Sequence, residues 1–342
     1  MSKNNKSNTR GKKIGLSILC VVLTLILVAL IFTAVFVERK FGMLNTETNP
    51  TVAAEDLAAL VGNQTKPAEL ADERVPATVP TVPTQAAEII ETEAVVNILL
   101  VGQDEGGTLS DTMILCTVNP NTHEIHLTSF LRDSYVDIPG KFPHKLNTSY
   151  ALGGLSLLNE TLTYNFGIPI DGNVVVTFDA FRQVIDAIGG VELELSEDEA
   201  WYLNRNFGCT VDAGLNTLSG YQALGYSRIR EEALGGDYNR TLRQRNLISA
   251  LIMKAKSMSL MELNDMLNIV LPYISTDMTM SQITNYMVDL FPVVLDATIT
   301  TQQIPTDETS YMDWVEQDGG MSIIRIDDFE ANRAILQEIM GN

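Results

Sequence analysis

The sequence predicts an α/β layered domain carried on a single N-terminal transmembrane helix. Three observations lead there: an uncharged run of 24 residues near the start, a proline-punctuated spacer behind it, and short apolar runs alternating with helical patterns from residue 95 onward. No internal repeat and no second linker interrupts 93–342, so this stretch reads as one domain of about 250 residues.

The uncharged run, IGLSILCVVLTLILVALIFTAVFV (14–37), is long enough to cross about 30 Å of hydrocarbon as one helix. A secretory leader has a shorter apolar core and a small-residue cleavage site, whereas this run ends in Phe36-Val37 followed by Glu38-Arg39-Lys40. An uncleaved anchor is therefore expected. Residues 1–13 hold Lys3, Lys6, Arg10, Lys12 and Lys13 and no acid, which assigns the tail to the cytoplasm and everything after the span to the outside. The formal net charge is −20, and −25 once those five positive charges are set aside. So acidic an outer part argues against a nucleic-acid partner, whose binding relies on phosphate neutralisation by Lys and Arg.

Residues 38–92 contain Pro50, Pro67, Pro76, Pro80 and Pro83 and form the spacer, with a short helix expected at AAEDLAALVG (53–62). Order begins at VVNILLVG (95–102), a continuous apolar run typical of a strand buried on both faces. Strands at 111–118 and 123–130 follow, joined by the turn Asn119-Pro120-Asn121. NVVVTF, DAFRQVIDAIGG and VELEL (173–195) read as strand, helix and strand. The helix aligns Phe181, Val184, Ile185 and Ile188 on one face and closes at Gly189-Gly190. Beyond about 258 the pattern is mostly helical, with a last strand near MSIIRI (321–326) and a closing helix at 327–340. Cys116 and Cys209, the two outer cysteines, lack zinc-site spacing and are expected as unpaired thiols.

Eleven arginines lie beyond residue 40, and five of them (Arg228, Arg230, Arg240, Arg243, Arg245) fall within 18 residues. In GGDYNRTLRQRNLISALIMKAK (235–256) Asp237 is expected as N-cap, with Leu247, Ile248, Leu251, Ile252 and Ala255 as the apolar stripe. Stepping back by three and four residues puts Gln244, Arg243 and Arg240 on the core-facing side. Arg245, about 100° around the helix from Gln244, is expected in solvent. YSRIR (226–230) reads as a strand projecting Tyr226, Arg228 and Arg230 to one side. Inward guanidiniums at a helix start are costly unless an anion meets them, and free N–H groups there favour the same anion. Planar guanidiniums suit bidentate phosphate contacts. Surface salt bridges with the abundant acids are the plainer alternative.

Asp104 ends the first strand and Asp111 opens the second, so the two carboxylates can share Mg²⁺ with a substrate phosphate or serve as turn and capping residues. Arg132 and Asp133 form an Arg–Asp pair after the third strand, and Lys145 reads as a surface lysine beside a proline turn.

Seven stretches carry a resemblance: NILLVGQD (97–104), SDTMIL (110–115), LTSFLRDSYVDIPG (127–140), KLNTSYALGG (145–154), FDAFRQVIDAIGGV (178–191), LSGYQALGYSRIR (218–230) and GDYNRTLRQR (236–245). In these motifs and their order, over about 95–256, the chain resembles the LytR–CpsA–Psr family of cell-wall assembly proteins. The resemblance implies an α/β/α sandwich with a central mixed sheet flanked by helices and an apolar groove for a polyprenyl chain. It implies a membrane-anchored phosphotransferase that moves a glycopolymer from an undecaprenyl diphosphate carrier to peptidoglycan. It further implies Mg²⁺ on Asp104 and Asp111, diphosphate on Arg132, Arg228, Arg230, Arg240, Arg243 and Gln244, and catalytic roles for Arg132, Asp133, Arg240 and Arg243. Where the family commonly has Arg-Ser-Asp, this chain has Leu109-Ser110-Asp111, so one phosphate-contacting arginine is missing, and Lys145 and His144 are nearby candidates to compensate. A non-catalytic binder of polyprenyl phosphate lipids and a polyprenyl diphosphate hydrolase stand as alternatives.

Overall fold

A computed structural model describes residues 82–341, apart from 84, 93, 104–107, 232, 233 and 235, together with Asn45 and Thr46. The expected tail, the expected anchor at 14–37, nearly all of the spacer, and Asp104 lie outside the described residues. Among the described residues no helix is long and apolar enough to cross a membrane.

The first half of the chain supplies β1 (Asn45–Thr46), β2 (Val96–Gln103), β3 (Ser110–Asn119), β4 (Glu124–Phe130), β5 (Tyr135–Val136) and β6 (His144–Lys145). Then come α1 (Leu146–Phe166), β7 (Gly172–Thr177), α2 (Phe178–Ala187), β8 (Val191–Leu195) and α3 (Glu197–Phe207). The arginine-rich region holds β9 (Gly214–Leu218), α4 (Gly220–Ser227) and α5 (Gly236–Ser257). The remainder comprises α6 (Leu260–Val270), β10 (Ser275–Thr276), α7 (Met280–Asp296), β11 (Thr298–Ile304), β12 (Ser310–Val315), β13 (Met321–Ile326) and α8 (Phe329–Ile339).

Seven strands form the central sheet in the order β1-β10-β7-β2-β3-β4-β11. β2, β3 and β4 are an antiparallel meander, while β7 runs parallel to β2 and β11 parallel to β4. The carboxyl ends of β2, β4, β7 and β11 and the start of β3 therefore share one edge. Helices cover both faces, giving the expected α/β/α sandwich. Under one face Leu99, Val101, Met113 and Leu115 pack on Leu158 and Phe166 of α1 and Leu336 of α8. Under the other, Ile114, Ile125 and Leu127 pack on Leu290 and Val293 of α7, with Ile248 and Ile252 of α5 alongside. β2 alternates strictly between buried and half-buried positions. Its side toward α1 is sealed, whereas its side toward α5 keeps room for a groove.

The hairpin β8–β9 stands outside the central sheet and closes a satellite core of Ile185, Val191, Leu193, Leu203, Leu218 and Leu247 with α2, α3, α4 and α5. The strand near MSIIRI is likewise outside it, as β13 paired with β12. β11, TITTQQI, was absent from the expected pattern because its sequence is mostly polar, and its β-branched threonines form an edge strand without an apolar signature. Cys116 and Cys209 are free thiols.

YSRIR is not a strand. A capping box, in which Ser219 caps Gln222 N–H and Gln222 caps Ser219 N–H, starts α4; Tyr226 belongs to that helix and Arg228 is its C-cap. Gly220, the first residue of α4, donates its N–H to Asp186 Oδ1 at 2.7 Å. A Cβ on Gly220 would run into the backbone carbonyl of Arg182 in α2. Gly220→Ala is therefore expected to destabilise the fold by about 1–3 kcal/mol, to be measured by chemical denaturation.

Candidate functional site

The carboxyl edge of the sheet opens into a cavity of about 220 Å³ between α2, α4 and α5. Its floor and walls are apolar, with Leu100, Ile114, Val174, Phe181, Leu247 and Ile248 in the lining. Its polar lining includes Asp111, Arg228, Arg230, Arg240 and Gln244, with the hydroxyl residues Thr112, Thr177 and Ser227. Local folding accounts for this placement. Thr177 ends β7 and caps α2 by accepting from Ala180 N–H, which sets Phe178 and Phe181 as a wall. Arg228 leaves the end of α4 and stacks over the Phe178 ring at 5.2 Å. Arg240 sits one turn inside α5 and is only 2 % exposed.

Asp111 is tied to Arg132, whose Nη1 donates to Asp111 Oδ1. Arg132 Nε lies 3.4 Å from Asp133 Oδ2, and Lys145 Nζ lies 2.9 Å from Asp133 Oδ1. A chain of alternating charge thus runs from the cavity wall inward: Asp111, Arg132, Asp133, Lys145. Burial pushes the Asp133 carboxyl up, but Arg132, Lys145 and Arg240 outweigh it and hold the group below its ordinary value. With both oxygens engaged and its proton affinity reduced, Asp133 is built to anchor Arg132 and is a poor proton acceptor.

The structure corrects the expected exposure of Lys145 and buries its neighbour His144 as well. His144 is fully buried, its Nδ1 2.7 Å from Thr148 Oγ1 and its Nε2 3.0 Å from Asp318 Oδ2. Lys145 is 4 % exposed. The turn that carries them folds back as β6 against β5, and α1 begins immediately after.

Of the arginines expected at one anion site, Arg228, Arg230 and Arg240 share the cavity with Gln244, and Arg132 stands directly behind Asp111. Arg243 is not in the lining. Its Nε donates to Glu199 Oε1 at 2.7 Å, and its two terminal nitrogens donate to the carbonyls of Ile229 and Leu234. Arg245, expected in solvent, is 4 % exposed and donates to Thr241 Oγ1 at 3.3 Å. Burial lowers its pKa to about 10. The reason is that α5 is wrapped by the sheet on one side and the satellite core on the other, so this turn has no solvent face. Asp237 lies inside the helix, which starts at Gly236.

Residues 60–333 match the profile of the LytR_cpsA_psr family. The chain belongs to the LytR–CpsA–Psr family. A relative from Enterococcus faecalis, named polyisoprenyl-teichoic acid–peptidoglycan teichoic acid transferase TagU, is 32 % identical over 255 residues, 71 % of this chain and 78 % of the relative. The protein of the same name from Oceanobacillus iheyensis is 37 % identical over 205 residues, covering 56 % of this chain and 62 % of the relative. Among solved structures, TagT bound to LIIa-WTA superposes with a TM-score of 0.60 at 25 % identity, over 75 % of this chain and 94 % of that one.

One residue of this LytR–CpsA–Psr protein that supports the site was not read from the sequence: Glu199 showed only as the fourth residue of a capping box, Ser196-x-x-Glu199. Lys145, a candidate beside the site, was expected at the surface. Lys145→Met leaves the Asp133 carboxylate without its closest cation and is expected to cost roughly 3 kcal/mol. The Asp133 pairing stabilises the fold fully above an unfolded carboxylate pKa of about 4 and loses that contribution as pH falls through the lower folded value. In Asp133→Asn the loss of stability with acid below about pH 4 is expected to be shallower than in the parent protein, as read by unfolding midpoints against pH.

Proposed function

We propose that this protein is a phosphotransferase that moves a glycopolymer from an undecaprenyl diphosphate carrier to peptidoglycan. It works outside the membrane, held there by the span at 14–37. One observation carries the proposal: an apolar groove lined at its polar part by Arg228, Arg230, Arg240 and Gln244 beside Asp111. A polyprenyl diphosphate has the matching two-part chemistry, a hydrocarbon chain and a dense negative head. The TagU name of the relatives supports a polyisoprenyl-linked polymer as donor and peptidoglycan as acceptor.

In this proposal the isoprenoid lies along Ile114, Phe181, Leu247 and Ile248, where burial of apolar surface holds it. Arg228, Arg230 and Arg240 receive the phosphate oxygens. Negative charge grows on the departing lipid phosphate as its bridging bond breaks, and guanidiniums fixed in advance stabilise that state more than the ground state. Phosphoryl transfer depends chiefly on such positioning and electrostatics. Arg132, gripped by Asp111 and Asp133, keeps the Asp111 carboxylate at the cavity wall.

Of the two expected ligands, Asp111 suits Mg²⁺, and Asp104 lies outside the described residues. Asp111 offers hard carboxylate oxygens beside the guanidiniums, and Gln103, the sequence neighbour of Asp104, pairs with Ser110, the sequence neighbour of Asp111. Two aspartates plus phosphate oxygens are a typical magnesium set. Bound there, the ion would neutralise diphosphate oxygens alongside the arginines.

The test follows polymer attachment to peptidoglycan oligomers from a polyprenyl diphosphate glycan, with Mg²⁺ and with chelator. Arg240→Ala and Asp111→Asn are each expected to lower the rate about 10²-fold or more, and chelator to abolish it. Diphosphate cleavage that ignores peptidoglycan would overturn the transferase in favour of a hydrolase. Tight lipid binding without turnover would overturn it in favour of a binder.

A further inference from the structure

Arg243 has the residue type and the helix position of a phosphate ligand, yet its guanidinium faces away from the cavity. It is 4 % exposed and spent on three protein acceptors: Glu199 Oε1 at 2.7 Å, the Leu234 carbonyl at 3.0 Å and the Ile229 carbonyl at 3.4 Å. The last two are the informative ones. Ile229 and Leu234 bracket Arg230, and Arg228 precedes Ile229 directly, so one guanidinium fork grips the chain on both sides of Arg230 and next to Arg228, two of the cavity's three arginines. Asn239 Nδ2 adds a second hold on the Leu234 carbonyl at 2.8 Å. Ile229, fully buried in the satellite core, gives the segment an apolar root.

Glu199 is fixed as firmly. Its other oxygen, Oε2, accepts from Ser196 N–H at 3.0 Å in the capping box that starts α3, so the carboxylate cannot rotate away without uncapping that helix. A planar fork held by a charge-assisted bond at Nε has its remaining N–H groups aimed in fixed directions. Lysine, a single point donor, cannot hold Glu199 and two carbonyls in that geometry.

From this we infer that Glu199 and Arg243 form a positioning pair for the diphosphate site. Glu199 orients the Arg243 fork, the fork pins the backbone at 229 and 234, and the pinned segment presents Arg228 and Arg230 to the anion. Neither member of the pair touches substrate. The inference rests on the proposed diphosphate reading for its functional half, while the pinning of 229–234 stands on the contacts themselves.

The experiment uses the full-length chain and two variants, Glu199→Gln, which keeps the shape of the side chain but removes its charge, and Arg243→Lys. Amide hydrogen exchange across 228–235 reads the pinning, and affinity for octaprenyl diphosphate reads its consequence. Both variants are expected to speed exchange in this segment while α5 away from its first turn and the central sheet keep their protection. Glu199→Gln is expected to weaken octaprenyl diphosphate about tenfold, the scale of one charge-assisted hydrogen bond. In an Arg230→Ala background the same change is expected to cost less than about threefold, because the group it positions is gone. Unchanged exchange at 228–235 in both variants overturns the pair, as does full additivity of Glu199→Gln with Arg230→Ala. A parent protein that binds no octaprenyl diphosphate would sink the diphosphate reading instead. Faster exchange in Glu199→Gln would then still uphold the pair as the anchor of the segment.

Discussion

Arg240 sits at 2 % exposure where the strands of the sheet end, and keeping a guanidinium there is the constraint to which the surrounding structure answers. A buried cation is tolerated only when carboxylates and hydrogen-bond acceptors replace the water it has lost. Asp133 is the carboxylate on which Arg240 acts here, and it belongs to an ordered chain of charges. Asp111 and Asp133 hold Arg132 between them, Lys145 closes the chain from the inside, and Arg240 in turn helps keep Asp133 ionised. These groups come from β3, from the segments that follow β4 and from β6, as well as from α5. The site is therefore as firm as the sheet that aligns those elements.

That sheet does two different things on its two faces. Under α1 and α8 it is sealed by close packing of leucine, methionine and phenylalanine side chains. Under α5 the same strands contribute Leu100, Ile114 and Val174 to an open apolar groove. Location of the groove's polar end at the carboxyl edge follows the general behaviour of open α/β sheets, in which ligands bind beyond the strand ends. The groove places hydrocarbon chemistry beside anion chemistry without an intervening barrier.

The arginines of α5 differ in role because of their angle around one helix. Positions 240, 244, 247 and 248 turn toward the groove, 243 toward α3 and the segment after α4, and 245 toward Thr241 and the sheet. A single apolar stripe is a fair description of a helix with one buried side. It fails for α5, which packs against both the sheet and the satellite core, so that even its charged residues are enclosed.

Local pattern in the sequence determined a good deal of this protein. The continuous apolar run of β2 and the apolar run of β3 marked strands, the period of FDAFRQVIDAIGG marked α2, and the density of arginine against a net charge of −20 marked the stretch that supplies most of the cavity's polar lining. These are legible because each depends on residues close together in the chain. Helix α4 was missed, because the alternating arginines of YSRIR suggested a strand while the chain there is a helix started by the Ser219-x-x-Gln222 capping box. Tertiary structure decided which arginines reach the groove, that His144 and Lys145 are buried, and that Glu199 meets Arg243 from 44 residues away. It also decided the place of β11, whose polar sequence gives no sign that it completes the sheet beside β4. The physical reason is common to all of these. Burial and charge pairing are set by which distant elements pack together, and the spacing of residues along one element carries no record of its neighbours.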